Sequence, residues 1–488
     1  MSKDAVDTAR AASRPEAAGT PADAGDAGYS KDLKARHVNM IAIGGAIGTG
    51  LFLGAGGRLH DAGPALALAY LVCGVFAFFV VRALGELVLY RPSSGSFVSY
   101  AREFLGEKGA YVAGWMYFLN WSTTGIADIT AIALYTHYWS LFTDIPQWVL
   151  ALVALAVVLA VNLISVKIFG EMEFWFAIVK VATLVAFMLV GIFLLATRHE
   201  VGGTTPGVGV ITDHGGFLPH GAMPVVLVMQ GVIFAYAALE LVGVAAGETA
   251  EPEKVVPRAV NSIMWRVALF YVGSVVLLAL LLPGSVYSAG QSPFVTVLSK
   301  IGVPAAGDVM NLVVLTAAMS SLNSGLYSTG RILRSMAMAG SAPKFTARMN
   351  RSQVPYGGIL LTCAVCVLGV VLNYLVPSQA FEIVLNVASL GIISTWVIIM
   401  ICHLVFVRRA KEGLLTRPSF RLWGSPVTEI VTIAFLVAVL GLMGKDPDVG
   451  RKTLLLIPLV AVLLVAGWFA VRRRVAQSAD QELTRITG

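Results

Sequence analysis

The chain has 488 residues, of which 57% are hydrophobic and 13% are charged, and its mean hydropathy is +0.79. Because soluble proteins carry about 25% charged residues, this composition excludes a soluble enzyme, a disordered chain and a fibrous protein. Four cysteines in so long a chain exclude a disulfide-rich secreted scaffold. The sequence therefore predicts an all-α polytopic membrane protein.

Long apolar runs recur along the whole chain. A helix needs about 20 predominantly apolar residues to cross the hydrocarbon core of a bilayer. The sequence contains twelve runs near or above this length, which we number as spans 1 to 12 in chain order. They cover residues 38–57, 62–89, 110–140, 146–166, 172–197, 222–246, 262–283, 305–338, 356–376, 380–407, 426–443 and 453–472.

The basic residues are distributed unequally between the two sides of these spans. If the N-terminus is cytoplasmic, 28 of the 35 Lys and Arg residues fall on the cytoplasmic side, 6 fall on the opposite side, and Lys180 lies inside span 5. This bias follows the positive-inside rule, so both termini are predicted to be cytoplasmic. The net charge of +7 then reflects membrane topology, and we reject nucleic acid as a partner.

Span 1 contains a cluster of glycines near its middle. Four of the seven residues in the stretch 44–50 (GGAIGTG) are glycine, and each glycine costs up to about 1 kcal/mol in a helix interior relative to alanine. One interpretation is close helix packing through small residues. The other is a broken helix whose free N–H groups bind an anionic group.

Span 6 carries a second interruption at a comparable depth. Its stretch 230–240 (QGVIFAYAALE) combines polar, aromatic and acidic residues. Spans 1 and 6 are equivalent if ten of the twelve helices form two five-helix halves, and paired interruptions at such positions indicate a transporter site. Free N–H groups at one break and free carbonyls at the other fit a ligand with a carboxylate and an ammonium, such as a free amino acid.

Several motifs resemble those of a known family. Residues 45–52 (GAIGTGLF) are similar to the first-helix motif of amino-acid permeases in the amino acid–polyamine–organocation superfamily. Similar stretches lie at 85–86, 91–97, 114–121, 247–259, 323–327, 342–345 and 354–355, so the resemblance covers about residues 35–410. Within the family, segments 105–108, 124–128 and 211–216 most resemble the bacterial branch that carries L-asparagine. Many relatives have Glu at the position of Asp128.

The resemblance implies an architecture and an activity. Residues 35–410 would form a five-plus-five inverted repeat with broken spans 1 and 6, and residues 411–472 would add two helices. Residues 1–34 are predicted to be a disordered cytoplasmic tail and 473–488 a second tail. The implied activity is proton-coupled import of a neutral amino acid, with L-asparagine as the predicted substrate, by alternating access across a bacterial cytoplasmic membrane. No metal or cofactor is predicted, and no oligomeric state is inferred.

The resemblance also implies where the substrate binds. Its carboxylate would meet the main-chain N–H groups around Ile47, Gly48, Thr49 and Gly50. Its ammonium would meet carbonyls near Ala46, Phe234, Ala235 and Tyr236. These positions coincide with the two breaks predicted from the residues alone.

Two ionisable residues inside spans are candidates for proton coupling. Lys180 lies in span 5, where burial of an ammonium is costly. The resemblance implies that a similar lysine occupies the position of a coupling ion in some members of the superfamily. The alternative is that the Lys180 side chain snorkels to the membrane surface. Glu240 follows the break in span 6. It is predicted to stabilise the break, carry a proton or contact the substrate amine, unless it only caps free main-chain N–H groups.

Span 3 offers a polar set formed by Asn120, Thr123, Thr124 and Asp128. These side chains are predicted to line the cavity and to bind the substrate amide, because polar pockets reject ligands that lack the matching group. The alternative is hydrogen bonding between helices. Arg82 and Glu86, one turn apart in span 2, are predicted to form a structural ion pair.

Other functions remain as alternatives. The same mechanism could carry 4-aminobutyrate, a cationic amino acid or an aromatic one. A membrane-embedded enzyme would need clustered catalytic groups, and the sequence shows no P-loop and no H-E-x-x-H motif. An amino-acid sensor that does not transport would carry a sizeable signalling tail, and both tails here are short.

Overall fold

A computed structural model describes Met40 and residues 47–93, 95–246, 251–446 and 450–487. Over these ranges the chain is helical, and the one β-bridge joins Val201 to Thr204 in a loop. The predicted all-α membrane fold is confirmed. The predicted tail at 1–34 and residue Ala46 lie outside the described residues.

The long apolar helices correspond to the predicted spans. In the described part of the chain, eight helices are long and apolar enough to cross a bilayer. They are Gly54–Tyr90, Val166–Thr197, Pro252–Leu281, Ala306–Met338, Tyr356–Leu375, Ala380–Lys411, Val427–Lys445 and Gly450–Ser478. Gln147–Asn162 and Ala222–Ala235 are shorter apolar helices at the positions of spans 4 and 6. The last helix continues as Leu456–Thr487, so the predicted C-terminal tail is largely helical.

Span 3 belongs to a longer helix than predicted. The helix Ser96–Thr136 has 41 residues and bends at Gly106, whose φ of 78° is favourable for glycine. Its middle third packs closely against glycines of two neighbouring helices. A Cβ atom added at Gly391 in span 10 would lie 2.6 Å from Asn120 Cα. A Cβ atom added at Gly325 in span 8 would lie 2.6 Å from the Trp121 ring. Span 3 is therefore a central helix of the bundle.

Spans 1 and 6 are interrupted. Gly48 is extended, with φ −129° and ψ −161°, and helix Thr49–Phe52 begins after it; Gly54–Ala62 then continues the span. In span 6 the helix Met229–Ala235 ends, and the chain turns through residues 236–240 before Leu241–Ala246. Ala238 in this turn has a positive φ of 74°.

The two interrupted spans cross at main-chain contact distance. A Cβ atom added at Gly50 would lie 2.5 Å from Ala235 Cα and 2.9 Å from its nitrogen. The interruption at Gly48 and the close packing at Gly50 therefore occur in one place, and anion binding at this break stays a prediction. Arg58 donates to the Gly50 carbonyl at 3.1 Å, and Tyr271 donates to the Ala235 carbonyl at 3.2 Å.

The predicted ion pair between Arg82 and Glu86 is wrong. Glu86 is paired instead with Arg417, which donates two hydrogen bonds of 2.6 and 3.0 Å. Leu422 N donates to the same carboxylate at 2.7 Å. The planar fork of an arginine from a distant loop satisfies this buried carboxylate better than a neighbour on the same helix.

The same carboxylate belongs to a larger buried cluster. His403 Nε2 lies 3.0 Å from Glu86 Oε2, and its Nδ1 lies 2.8 Å from Glu429 Oε1. Arg82 instead donates to the Arg421 carbonyl at 2.8 Å, and its guanidinium lies 4.0 Å from the ring centre of Trp423. The loop between spans 10 and 11 is thus fixed to span 2 by charge-assisted bonds.

Removing the charge of Glu86 should destabilise the fold. In Glu86→Gln the buried His403 and the partly buried Arg417 lose their shared carboxylate, and loss of one partner of a buried ion pair costs about 3–5 kcal/mol. Thermal unfolding in detergent measures the effect. The control is Glu412→Gln, which breaks an exposed pair with Arg408 and should cost less than about 1 kcal/mol. Equal melting temperatures for the two variants would contradict this prediction.

The crossing of spans 1 and 6 should not tolerate a methyl group. In Gly50→Ala the new Cβ would overlap the Ala235 backbone, and overpacking of this kind costs about 1–3 kcal/mol. Gly441→Ala is the matched control, because a Cβ at Gly441 meets no atom within 4 Å. We expect a lower melting temperature for Gly50→Ala and an unchanged or slightly higher one for Gly441→Ala; the reverse order would rule out this close crossing.

Candidate functional site

The break in span 1 is followed by a short helix, Thr49–Phe52, whose first N–H groups face the break. Leu51 N and Phe52 N both donate to the Gly48 carbonyl at 3.2 Å. The N–H groups of Thr49 and Gly50 precede them, and the first N–H groups of a helix have no acceptor within that helix. A Cβ added at Gly48 would meet Ser321 Oγ at 3.7 Å, which is ordinary contact. This end of the helix therefore suits an anionic group.

The break in span 6 presents carbonyls that already accept one hydrogen bond. Ala237 N donates to the Phe234 carbonyl at 3.0 Å, and Tyr271 donates to the Ala235 carbonyl. Each carbonyl has a second lone pair, so a cationic donor can still bind. The side chain of Tyr236 is used elsewhere, because its hydroxyl donates to the Tyr70 carbonyl at 2.7 Å.

Three tyrosines hold the span 6 break against spans 2 and 7. The rings of Tyr236 and Tyr271 have centroids 4.6 Å apart, and those of Tyr70 and Tyr236 are 6.0 Å apart. All three side chains are fully buried. They fix the position of the main chain at residues 235–236. Because the Tyr236 hydroxyl is bonded to Tyr70, this segment would contact a ligand through its main-chain carbonyls.

Asp128 joins the span 1 break to span 3. Thr49 Oγ1 donates to Asp128 Oδ1 at 2.9 Å, with both groups buried, and Ser321 lies beside the same carboxylate. Ser321 also faces Gly48. Spans 1, 3 and 8 therefore meet at one polar point next to the free N–H groups.

Asn120 and Thr124 form a separate pair. Thr124 Oγ1 donates to Asn120 Oδ1 at 3.4 Å, and Thr123 donates to the Leu119 carbonyl at 2.6 Å. Asn120 lies eight residues before Asp128, which is about 12 Å along a helix. The structure brings Asp128 to Thr49 and leaves Asn120 at the interface with span 10.

Lys180 is buried in the protein, with 1% of its surface exposed. Its Nζ donates to Ser320 Oγ at 3.0 Å, so the ammonium points into the bundle and the snorkelling alternative does not hold. Ser320 in turn donates to Glu173 Oε2 at 2.7 Å. The sequence analysis missed Glu173, although its position seven residues before Lys180 puts both on one helix face.

Glu240 is fully buried directly after the turn in span 6. Its two carboxylate oxygens have no hydrogen-bond partner among the described residues. The indole of Trp396 and the main-chain nitrogen of Ala238 lie nearby but do not reach hydrogen-bond geometry. The carboxylate therefore does not cap the break through an ordinary hydrogen bond in this conformation.

A cavity of about 620 Å³ opens at the end of the bundle opposite the Glu86 cluster. Arg58, Gln230, Glu382 and Asn386 contribute to its walls. Gln230 donates to Asn386 across it. Arg58 lines this cavity and also donates to the Gly50 carbonyl, so its side chain lies between the cavity and the span 1 break.

The described ranges contain no group of three His, Cys, Asp or Glu side chains that could hold a metal ion. Cys73, Cys363, Cys366 and Cys402 are buried free thiols. The polar groups at the two breaks are main-chain groups, hydroxyls, amides and single carboxylates, which suit an organic ion better than a metal.

Known proteins are similar to this chain along nearly its whole length. A family model described as amino acid permease matches residues 37–480. The chain is 88% identical over 483 residues to the L-asparagine permease of Streptomyces coelicolor, which covers 99% of both proteins. It is 63% identical over 455 residues to the L-asparagine permease of Salmonella typhimurium, covering 93% of this chain and 92% of the relative. It is 61% identical over 455 residues to that of Escherichia coli, covering 93% and 91%.

The family model extends over spans 1 to 12, and the three relatives cover between 93% and 99% of this chain. The chain therefore belongs to the amino acid permease family, as a multi-pass bacterial membrane protein that transports amino acids and is not an enzyme.

Proposed function

We propose that the chain imports L-asparagine together with protons, by alternating access, across a bacterial cytoplasmic membrane. The observation that carries this proposal is the crossing of the two helix breaks at Gly50 and Ala235. The start of helix Thr49–Phe52 and the end of helix Met229–Ala235 come together at this crossing, which supports binding of a zwitterion between helix-end N–H groups and carbonyls. The similarity to the L-asparagine permeases of Streptomyces coelicolor and Salmonella typhimurium supports asparagine as the substrate.

The substrate carboxylate binds at the N–H groups of Thr49 and Gly50, with Ile47 and Gly48 shaping the approach. The ammonium binds at the carbonyls of Phe234, Ala235 and Tyr236. The partial charges at helix ends favour both contacts. Ala46, the remaining residue of this predicted set, lies outside the described residues.

Asp128 is the best-placed group to recognise the side-chain amide of asparagine. Its carboxylate already accepts from Thr49, and a second oxygen can accept from an amide N–H. Asn120 and Thr124 support the shape of span 3 at the span 10 interface. A site with matched polar groups rejects ligands that leave those groups unpaired.

Lys180 and Glu240 are the proposed proton-coupling groups. Both are buried, and a charged group inside the membrane has a free-energy cost that changes when it gains or loses a proton. Lys180 donates a hydrogen bond to Ser320 in span 8, so a change in the charge of Lys180 alters the contact between spans 5 and 8. Glu240 lies at the span 6 break, where a change in charge acts on the substrate ammonium.

The basic residues support a cytoplasmic location of both termini. On this orientation 28 of the 35 Lys and Arg residues are cytoplasmic, as the positive-inside rule requires. The 620 Å³ cavity then opens to the outside. The Glu86 cluster lies at the cytoplasmic end.

Uptake into proteoliposomes tests the proposed substrate and driving force. Labelled asparagine should accumulate when the outside is more acidic, and a proton uncoupler should abolish accumulation. Excess unlabelled asparagine should compete, whereas 4-aminobutyrate, lysine and phenylalanine should not. Competition by one of those three but not by asparagine would identify a different substrate, and binding without any uptake would indicate a sensor.

Lys180→Ala should separate accumulation from exchange. Without the ammonium, accumulation driven by a pH gradient should fall at least tenfold, while exchange of asparagine across the membrane should continue at a reduced rate. Lys167→Ala removes an exposed lysine from the same helix and should behave as wild type. Accumulation by Lys180→Ala at the wild-type level would exclude Lys180 as the coupling residue.

A further inference from the structure

We infer that Glu173 is the group that takes up the coupling proton from Lys180, through the hydroxyl of Ser320, on its way to the cytoplasm. This inference rests on the proposed proton coupling and names the next residue in its path. Glu173 has no part in the substrate site described above. It is buried, with 1% of its surface exposed, and a carboxylate held in such a place without function is costly.

The geometry forms a continuous donor chain. Lys180 Nζ donates to Ser320 Oγ at 3.0 Å, and Ser320 Oγ donates to Glu173 Oε2 at 2.7 Å. One hydroxyl thus accepts from the ammonium while it donates to the carboxylate. A serine hydroxyl has one hydrogen and two lone pairs, so it can fill both roles at once.

Proton transfer along this chain balances without any further reactant. An N–H bond of Lys180 breaks and its proton forms an O–H bond on Ser320. The original O–H bond of Ser320 breaks, and that proton forms an O–H bond on Glu173. The products are a neutral amine and a neutral carboxylic acid, so two buried charges disappear in one step.

The other oxygen of Glu173 is held in place from the opposite side. Asn323 Nδ2 donates to Glu173 Oε1 at 2.8 Å, and Asn162 Nδ2 donates to Asn323 Oδ1 at 2.8 Å. Asn162 is the last residue of helix Gln147–Asn162. The polar chain therefore continues from Glu173 to the end of span 4.

The direction of this chain agrees with import. Glu173 lies seven residues before Lys180, about 10 Å along the helix, towards the end that is cytoplasmic in the proposed orientation. Asp128 in span 3, which accepts from Thr49 at the span 1 break, also acts on Lys180 electrostatically. Lys180 is thus influenced by carboxylates on both span 3 and span 5.

A structural role would give the same contacts but a different phenotype. If Glu173 only held spans 5 and 8 together, its loss would reduce every transport mode by the same factor. If it accepts the proton, its loss reduces net uptake far more than exchange, because exchange needs no proton release. The ratio of the two rates therefore distinguishes a relay from a structural contact.

Glu173→Gln in proteoliposomes tests this inference. We expect accumulation driven by a pH gradient to fall at least tenfold and asparagine exchange to fall less than threefold. An entrapped pH-sensitive dye should show loss of the asparagine-dependent proton influx. Glu171→Gln is the matched control, since it makes the same change two residues away on another helix face, and it should accumulate asparagine as wild type does.

Ser320 provides an independent variant if Glu173→Gln does not fold. Ser320→Ala removes the bridging hydroxyl and keeps both charged groups, so proton influx should fall, and Ser320→Thr should restore it. Wild-type accumulation in Glu173→Gln, an equal loss of exchange and accumulation, or equal activities for the two Ser320 variants would each overturn the relay. A wild-type chain that exchanges but never accumulates would instead overturn the proton coupling itself.

Discussion

The crossing of two interrupted helices is the constraint on which this molecule depends. Inside a bilayer every main-chain N–H and carbonyl needs a partner from the protein or its ligand. Gly50 lets the two breaks touch, and Arg58 and Tyr271 then satisfy carbonyls at the contact. The first N–H groups of helix Thr49–Phe52 have no acceptor within that helix, and these are the groups that we propose bind the substrate carboxylate.

The buried charged groups differ in how completely they are satisfied. Glu86 accepts hydrogen bonds from Arg417 and Leu422 and contacts His403. Glu173 accepts from Ser320 and Asn323 and is linked to Lys180 through the Ser320 hydroxyl, whereas Glu240 has no hydrogen bond among the described side chains and backbone. A carboxylate held by an arginine and a main-chain N–H suits a fixed contact, whereas a carboxylate linked to an ammonium through a hydroxyl, or one without a donor, suits a group that exchanges a proton or a ligand.

Local patterns in the sequence predict much of this fold. Apolar length predicts the spans, and the glycine and polar stretches predict the interruptions at Gly48 and at 236–240. Partners that are distant in sequence could not be predicted, because Arg417 lies 331 residues from Glu86 and Ser320 lies 147 residues from Glu173. Asn120 and Asp128 looked equivalent because helical spacing does not say which neighbouring helix each one faces.

The cluster of His403 with Glu86 and Glu429 determines where a proton is held. Both ring nitrogens lie within 3.0 Å of a carboxylate oxygen, and a neutral imidazole can donate from only one of them. The cluster therefore retains a proton that Arg417, Leu422 and the surrounding helices hold in place. A carrier of the proposed kind would dissipate the proton gradient if a second site also transferred protons, so we expect this charge-balanced cluster to keep its proton throughout transport.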